Sequence, residues 1–215
     1  RIIQSYVTKH SSKESQVLHN KVDCNRFFSA KVIEKLSQPM ILSVGNLISV
    51  KNHKILIKSM KEIDAHLLII GNGELFEELN QLIIECGVQN KVTIKKSVPN
   101  NQIQDYYKSA KIFALAYNTE VESLPIPVIE AMAAGLPVVI PFPKEGFSEG
   151  LEKTAIFSKN NEESFTENIQ RLLNNDELRE KISILSANKA KEFDSQKIEK
   201  REAEIYLKLL KKVQK

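Results

Sequence analysis

Residues 112–140 read IFALAYNTEVESLPIPVIEAMAAGLPVVI, and this stretch decides the fold. It opens with a short apolar run of the kind that forms a strand buried on both faces. A polar loop follows, and then a compact helix over residues 127–134, which Gly135 ends and Pro137 prevents from continuing. Because residues 138–140 are again apolar, the stretch predicts one strand–loop–helix–strand unit.

The same alternation extends over the rest of the chain. Further strands are predicted at residues 40–44, 66–70, 91–94 and 154–157, and further helices at residues 52–60, 74–86, 102–109, 162–173, 177–189 and 195–210. Gly87 is expected to end the second of these helices, and Asn161 and Asp176 to cap the starts of two others. Strands that alternate with helices across short loops form parallel sheets covered on both faces. The predicted fold class is therefore α/β, a doubly wound, Rossmann-like parallel sheet with a long C-terminal helix.

Composition and charge narrow the class of protein. The 215 residues are 42% hydrophobic and 27% charged, which is ordinary for a soluble globular protein, and a net charge of +4 is too small to indicate a nucleic-acid partner. No apolar run is long enough to span a bilayer, and we expect no signal peptide. Cys24 and Cys86 lack metal-type spacing, so we expect free thiols in a reducing, cytoplasmic setting. The basic residues 197–215 fit either a solvated helix face or a membrane-surface patch.

Three loops follow predicted strands and are expected to meet at one edge of the sheet. They are residues 45–51, residues 71–73 and residues 122–130. Parallel α/β proteins bind their ligands at the carboxyl ends of strands. Together these loops supply flexible backbone at glycines, the cation of Lys51, a helix N-terminus and the carboxylates of Glu122 and Glu130.

A sugar attached to a nucleoside diphosphate needs these groups. Its pyrophosphate favours a cation such as Lys51, backbone N–H groups and a helix N-terminus. Since prolines lack an N–H, the donors at the start of the central helix must come from Ser123, Leu124 and Ile126. An ionised carboxylate can accept both ribose hydroxyls, which suits Glu130, one turn into the helix. Glu122, in the loop before the helix, could hold the sugar hydroxyls near the anomeric carbon.

Each of these residues has an ordinary structural explanation when it is considered alone. Glu130 could complement the helix dipole, and residues 71–73 could form a tight turn. Lys51 and Glu122 could be solvated surface residues. No histidine is assigned a catalytic role, and Tyr107 is expected in the core of its helix. The convergence of three loops, rather than any single residue, indicates a ligand site.

Four segments resemble a known family. Residues 122–139, ESLPIPVIEAMAAGLPVV, resemble the E-x7-E signature of the group 1 glycosyltransferases (glycosyltransferase family four). Residues 43–53, SVGNLISVKNH, are similar to the family segment V-G-R-L-x-x-x-K-G, and residues 67–74, LLIIGNGE, to its strand ending in G-x-G. Residues 19–28, HNKVDCNRFF, are similar to the segment N-G-V-D-x-x-x-F, where the family's chain enters its second domain. The resemblance covers about residues 15–190.

The resemblance implies the donor-binding, C-terminal half of a GT-B glycosyltransferase that retains anomeric configuration and needs no metal or other cofactor. It implies that Glu130 binds the ribose, that Glu122 binds the donor sugar and that Lys51 holds the diphosphate. Glu122 and Lys51 are the candidate catalytic residues. It also implies that Ser97 and Val98 meet the base, and that the nearby loops contact the donor. Those loop residues are Gly45, Asn46, Gly71 and Gly73.

The resemblance also implies a domain organisation. Residues 1–36 are expected to form an inter-domain arm, residues 37–192 the nucleotide-sugar-binding domain, and residues 193–215 a helix that packs back on it or toward a missing N-terminal, acceptor-binding domain. Because the chain starts at Arg1, we expect a piece of a longer protein. The implied partners are a nucleotide sugar, that missing domain and a glycan or glycolipid acceptor, with peripheral association at the inner face of a membrane left open.

Asn46 departs from the family pattern, because the family has an arginine that binds the diphosphate there. This loss removes a fixed charge and a bidentate donor. Asn52 and His53 replace the lysine–glycine turn. The departure at Asn46 keeps one alternative open, a non-catalytic relative that binds nucleotide sugars. A second alternative, a nucleotide-sugar epimerase, would have the same architecture, and the E-x7-E loop argues against it. A dehydrogenase is disfavoured, because no G-x-G-x-x-G opens a helix after the first strand.

Overall fold

The computed structural model describes residues 7, 9–11, 16–33, 38–144 and 150–213. These residues include six strands: β1 Met40–Val44, β2 His66–Ile70, β3 Val92–Lys95, β4 Ile112–Ala114, β5 Val138–Pro141 and β6 Ile156–Ser158. The helices are α1 Cys24–Phe28, α2 His53–Ser59, α3 Phe76–Glu85, α4 Ile103–Ser109, α5 Ile126–Ala133, α6 Glu162–Leu173, α7 Asp176–Ala190 and α8 Ser195–Val213, with short 3₁₀ helices at Ser49–Lys51 and Lys191–Phe193.

The six strands form one parallel sheet in the order β3-β2-β1-β4-β5-β6. The chain moves outward from β1 to β3, returns to β4 beside β1, and then moves outward on the other side. This order is that of a doubly wound sheet, and it places the change of direction between β1 and β4. The predicted fold class is confirmed.

Two hydrophobic cores lie on opposite faces of the sheet. Along β1, Leu42 packs with one core and Ile41 with the other, as successive strand residues must. Helices α2, α3 and α6 cover the face of Ile41, while α1, α4, α5 and α7 contribute to the core that contains Leu42. Because both faces are covered, the central strands consist almost entirely of apolar residues.

Glycines end two helices as predicted. Gly87 has φ 68° just after α3, and the Val88 N–H returns to the Ile83 carbonyl. Gly135 has φ 78° just after α5, and the Leu136 N–H returns to the Ala131 carbonyl. Both arrangements satisfy helix carbonyls through a left-handed residue, a conformation that glycine adopts without steric cost.

Some element boundaries differ from the predictions. The last strand lies at residues 156–158 instead of 154–157, because the N–H groups of Thr154 and Ala155 both bond to the Leu151 carbonyl and form a turn there. Asn175, not Asp176, caps α7, and its side chain accepts the Leu178 N–H. Asn161 caps α6 as predicted.

Two further boundaries shift in the central unit. Helix α5 begins at Ile126, one residue before the predicted start, and it carries a proline in its first turn, where a missing N–H costs nothing. The strand before it, β4, ends at Ala114, whereas the apolar run that predicted it extends over residues 112–116. The residues that follow β4 are nevertheless buried, so the apolar run continues into the core as a loop.

The segment before the sheet is tied to the start of the C-terminal helix. Val22 donates to the Phe193 carbonyl at 2.9 Å and accepts from the Ser195 N–H at 2.8 Å. Phe27 is buried in the core, and Cys24 and Cys86 are free thiols. The predicted domain limits stay predictions, and residues 1–6, 8, 12–15 and 34–36 of the arm lie outside the described residues.

Helix α8 exposes large apolar side chains near its end, among them Tyr206 and Leu210. Within the described ranges, no helix combines the length and the apolar character that a membrane crossing requires.

Candidate functional site

The three loops expected to form a site do meet at one edge of the sheet. They follow β2, β1 and β4, which are neighbours, and so flank the point where the direction of winding changes. Leu47 N–H donates to the Asn72 carbonyl at 2.9 Å, and joins the first loop to the second. Asn118, which lies between β4 and the third loop, donates its N–H to the Val50 carbonyl at 2.8 Å and joins the chain that leads into the third loop to the first loop. The edge is therefore a hydrogen-bonded unit.

Glycines allow two of these loops to touch. A Cβ at Gly71 would lie 1.9 Å from the Gly45 carbonyl oxygen, and a Cβ at Gly73 would lie 2.5 Å from the Leu47 oxygen. The backbones therefore pack against each other without room for a side chain. This contact explains glycine at both positions, while their predicted contact with a ligand stays a prediction.

Lys51 and Glu122, which were assigned separate roles, form an ion pair. The Lys51 Nζ lies 2.6 Å from one carboxylate oxygen of Glu122 and 2.7 Å from the other. Their side chains are 11% and 29% exposed, so the pair is partly shielded from water. The aliphatic stem of Lys51 lies over Gly45, where an added Cβ would be 3.4 Å from the lysine Cδ.

Asn52 and His53 lie directly after Lys51, at the start of α2. Asn52 adopts a left-handed conformation, φ 48° and ψ 39°, which asparagine tolerates better than most residues. His53 is 2% exposed, with Nδ1 3.4 Å from the Ser43 Oγ, and its Nε2 has no hydrogen-bond partner among the described residues. Burial lowers the pKa of His53 to about 4, so the ring is neutral at physiological pH.

Glu130 lies in α5 and is half-buried, with one oxygen already engaged. The Tyr107 hydroxyl donates to Glu130 Oε2 at 2.8 Å. Burial raises the pKa of the Glu130 carboxyl, whereas the bond from Tyr107 and the positive charge of Arg26 act in the opposite direction. Tyr107 was expected in the core, and its bond to Glu130 was missed, because helical periodicity places a ring but does not show where its hydroxyl points.

The remaining predicted contacts are spread around the same edge. Asn46 and Ser97 are exposed, and Val98 is half-buried against the core. Of the expected helix-start donors, Ser123 and Ile126 are exposed. Leu124 is buried, and its carbonyl accepts a hydrogen bond from Asn20 Nδ2 at 3.4 Å.

A cavity of about 230 Å³ opens beside the loop that carries Glu122. Its lining residues are Tyr117, Thr119, Glu120, Val121, Glu122, Ser123, Leu124, Pro143, Lys144 and Leu151. Lys144 forms an ion pair with Glu120 across it. In the part of the chain that the structure describes, no three His, Cys, Asp or Glu side chains group as metal ligands would.

Two curated relatives resemble this chain over most of its length. One is an uncharacterized glycosyltransferase of Haemophilus influenzae, 33% identical over 183 residues, which are 81% of this chain and 50% of the relative. The other is the N-acetylgalactosamine-N,N'-diacetylbacillosaminyl-diphospho-undecaprenol 4-alpha-N-acetylgalactosaminyltransferase of Campylobacter jejuni. It is 32% identical over 195 residues, 87% of this chain and 52% of the relative. The chain thus spans about half the length of these relatives.

A solved structure and a family model agree with these relatives. The sucrose-phosphate synthase of Thermosynechococcus elongatus has a TM-score of 0.84 to this chain at 17% identity, and the match covers 97% of this chain and 56% of that protein. This likeness shows the fold. The family model for glycosyl transferases group 1 matches residues 25–188. Because that match covers most of the chain, the protein belongs to the group 1 glycosyltransferases.

Proposed function

We propose that the intact protein transfers a sugar from a nucleoside diphosphate to a glycan or glycolipid acceptor, with retention of configuration and without a metal, and that this chain is the donor-binding half. The observation that carries the proposal is the pairing of Lys51 and Glu122 on an edge built from three hydrogen-bonded loops. Family membership supports the class of reaction. The whole protein's acceptor, partners and location in the cell remain part of the proposal.

In this proposal the nucleotide is recognised at its ribose and its phosphates. Glu130 accepts hydrogen bonds from the ribose hydroxyls, for which its partial exposure leaves access. Lys51 has three N–H donors, and Glu122 occupies only some of them, so the lysine can also bind a phosphate. The loop residues Ser97 and Val98 lie toward the base.

The same groups stabilise the leaving phosphate. As the glycosidic bond breaks, negative charge grows on the β-phosphate. Lys51 and the N–H groups at the start of α5 meet that charge, and one such donor contributes about 3–4 kcal/mol in a transition state. Glu122 accepts from the hydroxyls of the transferred sugar and orients its anomeric carbon toward the acceptor.

Asn46 weakens this stabilisation. Its amide is exposed on the first loop, where the family pattern has an arginine. The missing cation slows transfer on the order of a hundredfold relative to an arginine enzyme, because about 3 kcal/mol corresponds to that factor.

The acceptor of the Campylobacter relative, a diphospho-undecaprenol-linked saccharide by its name, supports a lipid-linked acceptor here as well. A lipid-linked acceptor would hold the protein at the inner face of a membrane. The basic and apolar side chains of α8 are suited to such a surface.

Titration calorimetry with UDP, GDP and ADP tests the proposal on this chain. We expect one nucleotide to bind, and Glu130→Ala to weaken it by about tenfold or more, because a hydrogen bond to a charged group is lost. Glu163→Ala is the matched control, since Glu163 is an exposed glutamate in the first turn of α6. Absence of binding by all three nucleotides at millimolar concentration would refute the proposal.

Asn46 also favours one other function, a non-catalytic relative that binds the nucleotide sugar. The variant Asn46→Arg separates the two. An enzyme that lacks one phosphate contact gains donor affinity from the arginine, because the guanidinium supplies a bidentate donor. If the arginine brings no gain in affinity, the non-catalytic function is favoured.

A further inference from the structure

Tyr107 is a fully buried polar residue for which the proposed function has no assignment. Its ring lies between two aromatic rings of the core. The Phe27 ring meets it edge-on at a centroid distance of 5.4 Å, and the Phe113 ring stacks on it at 5.7 Å. Neighbours on both sides restrict the ring, so the position of its hydroxyl is fixed by packing.

Among the described residues, this hydroxyl donates to one acceptor, the Oε2 of Glu130 at 2.8 Å. The two residues come from different helices, α4 and α5, and are 23 positions apart. No hydrogen bond from a described residue reaches the other oxygen, Oε1. A carboxylate has about four acceptor sites, so Glu130 keeps acceptor capacity after it binds Tyr107.

We propose that Tyr107 is a positioning residue for nucleotide recognition, which holds Glu130 Oε2 so that Oε1 is presented to the ribose hydroxyls of a nucleoside diphosphate. The inference rests on the proposed function, because it assumes that Glu130 binds the ribose. It adds that the geometry of the ribose contact is set from within the hydrophobic core.

The bond also keeps Glu130 in the state that accepts hydrogen bonds. Burial favours the neutral carboxyl and raises the pKa of Glu130, and the Tyr107 hydroxyl is the largest opposing influence. Arg26 of α1 adds a smaller, longer-range contribution of the same sign. Without the hydroxyl the pKa of Glu130 rises further. As the pH is lowered, a variant that lacks the hydroxyl therefore loses nucleotide affinity at a higher pH than the wild type does.

The test compares a nucleoside diphosphate with its 2′,3′-dideoxy analogue, using whichever of UDP, GDP and ADP binds this chain. We expect the wild type to prefer the ribonucleotide by about tenfold, since charged hydrogen bonds are lost with the hydroxyls. Tyr107→Phe should reduce this preference severalfold and leave the affinity for the dideoxy analogue unchanged. A purely structural role for Tyr107 would weaken both ligands equally.

Two further variants complete the comparison. Tyr106→Phe is the matched control, because Tyr106 is the adjacent, half-buried tyrosine and its ring packs near Lys95 Nζ, 5.3 Å from the centroid. We expect it to keep the full ribose preference. In Glu130→Gln the preference should already be lost, and adding Tyr107→Phe should change nothing more.

The outcomes distinguish this inference from the function on which it rests. If Tyr107→Phe keeps the wild-type ribose preference, or weakens both ligands equally, the positioning role is overturned while nucleotide binding stands. If wild type binds no nucleotide, the proposed function fails and takes the inference with it. A preference that shrinks in Tyr107→Phe, with dideoxy affinity unchanged, supports both.

Discussion

Two carboxylates, eight positions apart in the sequence, have opposite surroundings. Glu122, in the loop before α5, meets the charge of Lys51 at 2.6 and 2.7 Å. Glu130, inside α5, meets the neutral hydroxyl of Tyr107 at 2.8 Å. The first contact neutralises the carboxylate, and the second stabilises its charge without cancelling it.

Because of this difference, a ligand at Glu130 and a ligand near Glu122 meet different protein contacts when they bind. At Glu130 the negative charge is already oriented, so a pair of hydroxyl donors can bind without displacing any residue. At Glu122 the lysine is shared, and a phosphate that approaches Lys51 competes with the carboxylate for its donors. Donor binding should therefore change the Glu122 loop more than it changes α5.

The largest expected effect concerns His53, an ionisable group whose buried Nε2 meets neither kind of partner in the part of the chain that the structure describes. Its pKa falls from 6.5 to about 4 on folding, so only the unfolded chain gains a proton as pH drops through this range. Stability due to the neutral ring is therefore lost between pH 6.5 and 4, and amounts to about 3 kcal/mol.

Chemical denaturation of the wild type and of His53→Phe at pH 7 and pH 4 measures this loss. We expect the variant to lose about 3 kcal/mol less than the wild type over the interval. His66→Phe is the control, because His66 is much less buried, although burial also lowers its pKa. Equal losses in His53→Phe and the wild type would show that folding does not lower the pKa of His53.

The next effect tests the Lys51–Glu122 pair directly. We expect Lys51→Gln to weaken binding of a nucleoside diphosphate by 1.5–3 kcal/mol, about 10- to 100-fold, and Glu122→Gln to strengthen it about fivefold by releasing the lysine. Calorimetry with the nucleoside diphosphate, without the donor sugar, isolates this competition. The two substitutions should change the affinity in opposite directions, since Glu130→Gln weakens binding of the same nucleoside diphosphate. If Glu122→Gln also weakens it, the proposed difference between the two carboxylates is wrong.

The smallest effect is on stability at Glu130. Because burial raises the pKa of Glu130, the ionised form is less stable in the folded chain, and this cost is present above the ordinary pKa of 4.5 and absent below it. Glu130→Gln should raise the free energy of unfolding at pH 8 on the order of 0.5 kcal/mol, the usual scale for a partly exposed substitution. The gain should vanish by pH 4, and thermal unfolding at both values checks it.

The order of elements along the chain was predictable because it depends on local patterns. The strand at residues 66–70 and the helix at 162–173 have the predicted bounds, since apolar runs and an asparagine cap mark them. Boundaries moved where a turn or a cap depended on a few hydrogen bonds. The Leu151 carbonyl accepts two N–H groups at the predicted start of the last strand, and Asn175 caps α7 one residue before the predicted Asp176.

The site was predictable only in part. Strand ends brought Lys51 and Glu122 to one edge, but their contact joins residues 71 positions apart and depends on the paths of two loops. The bond from Tyr107 to Glu130 depends on the rotation of two packed helices. The burial of His53 was not predicted, because the sequence does not show whether a polar residue at a helix start is covered by other parts of the fold.

The bonds that join Val22 to Phe193 and Ser195 bring the entry and the exit of the sheet domain together. The segment that holds the whole sheet and both carboxylates therefore begins and ends at neighbouring positions. We expect a segment with such ends to be exchangeable between relatives with two splices, and the exchange would show whether the proposed donor specificity moves with it.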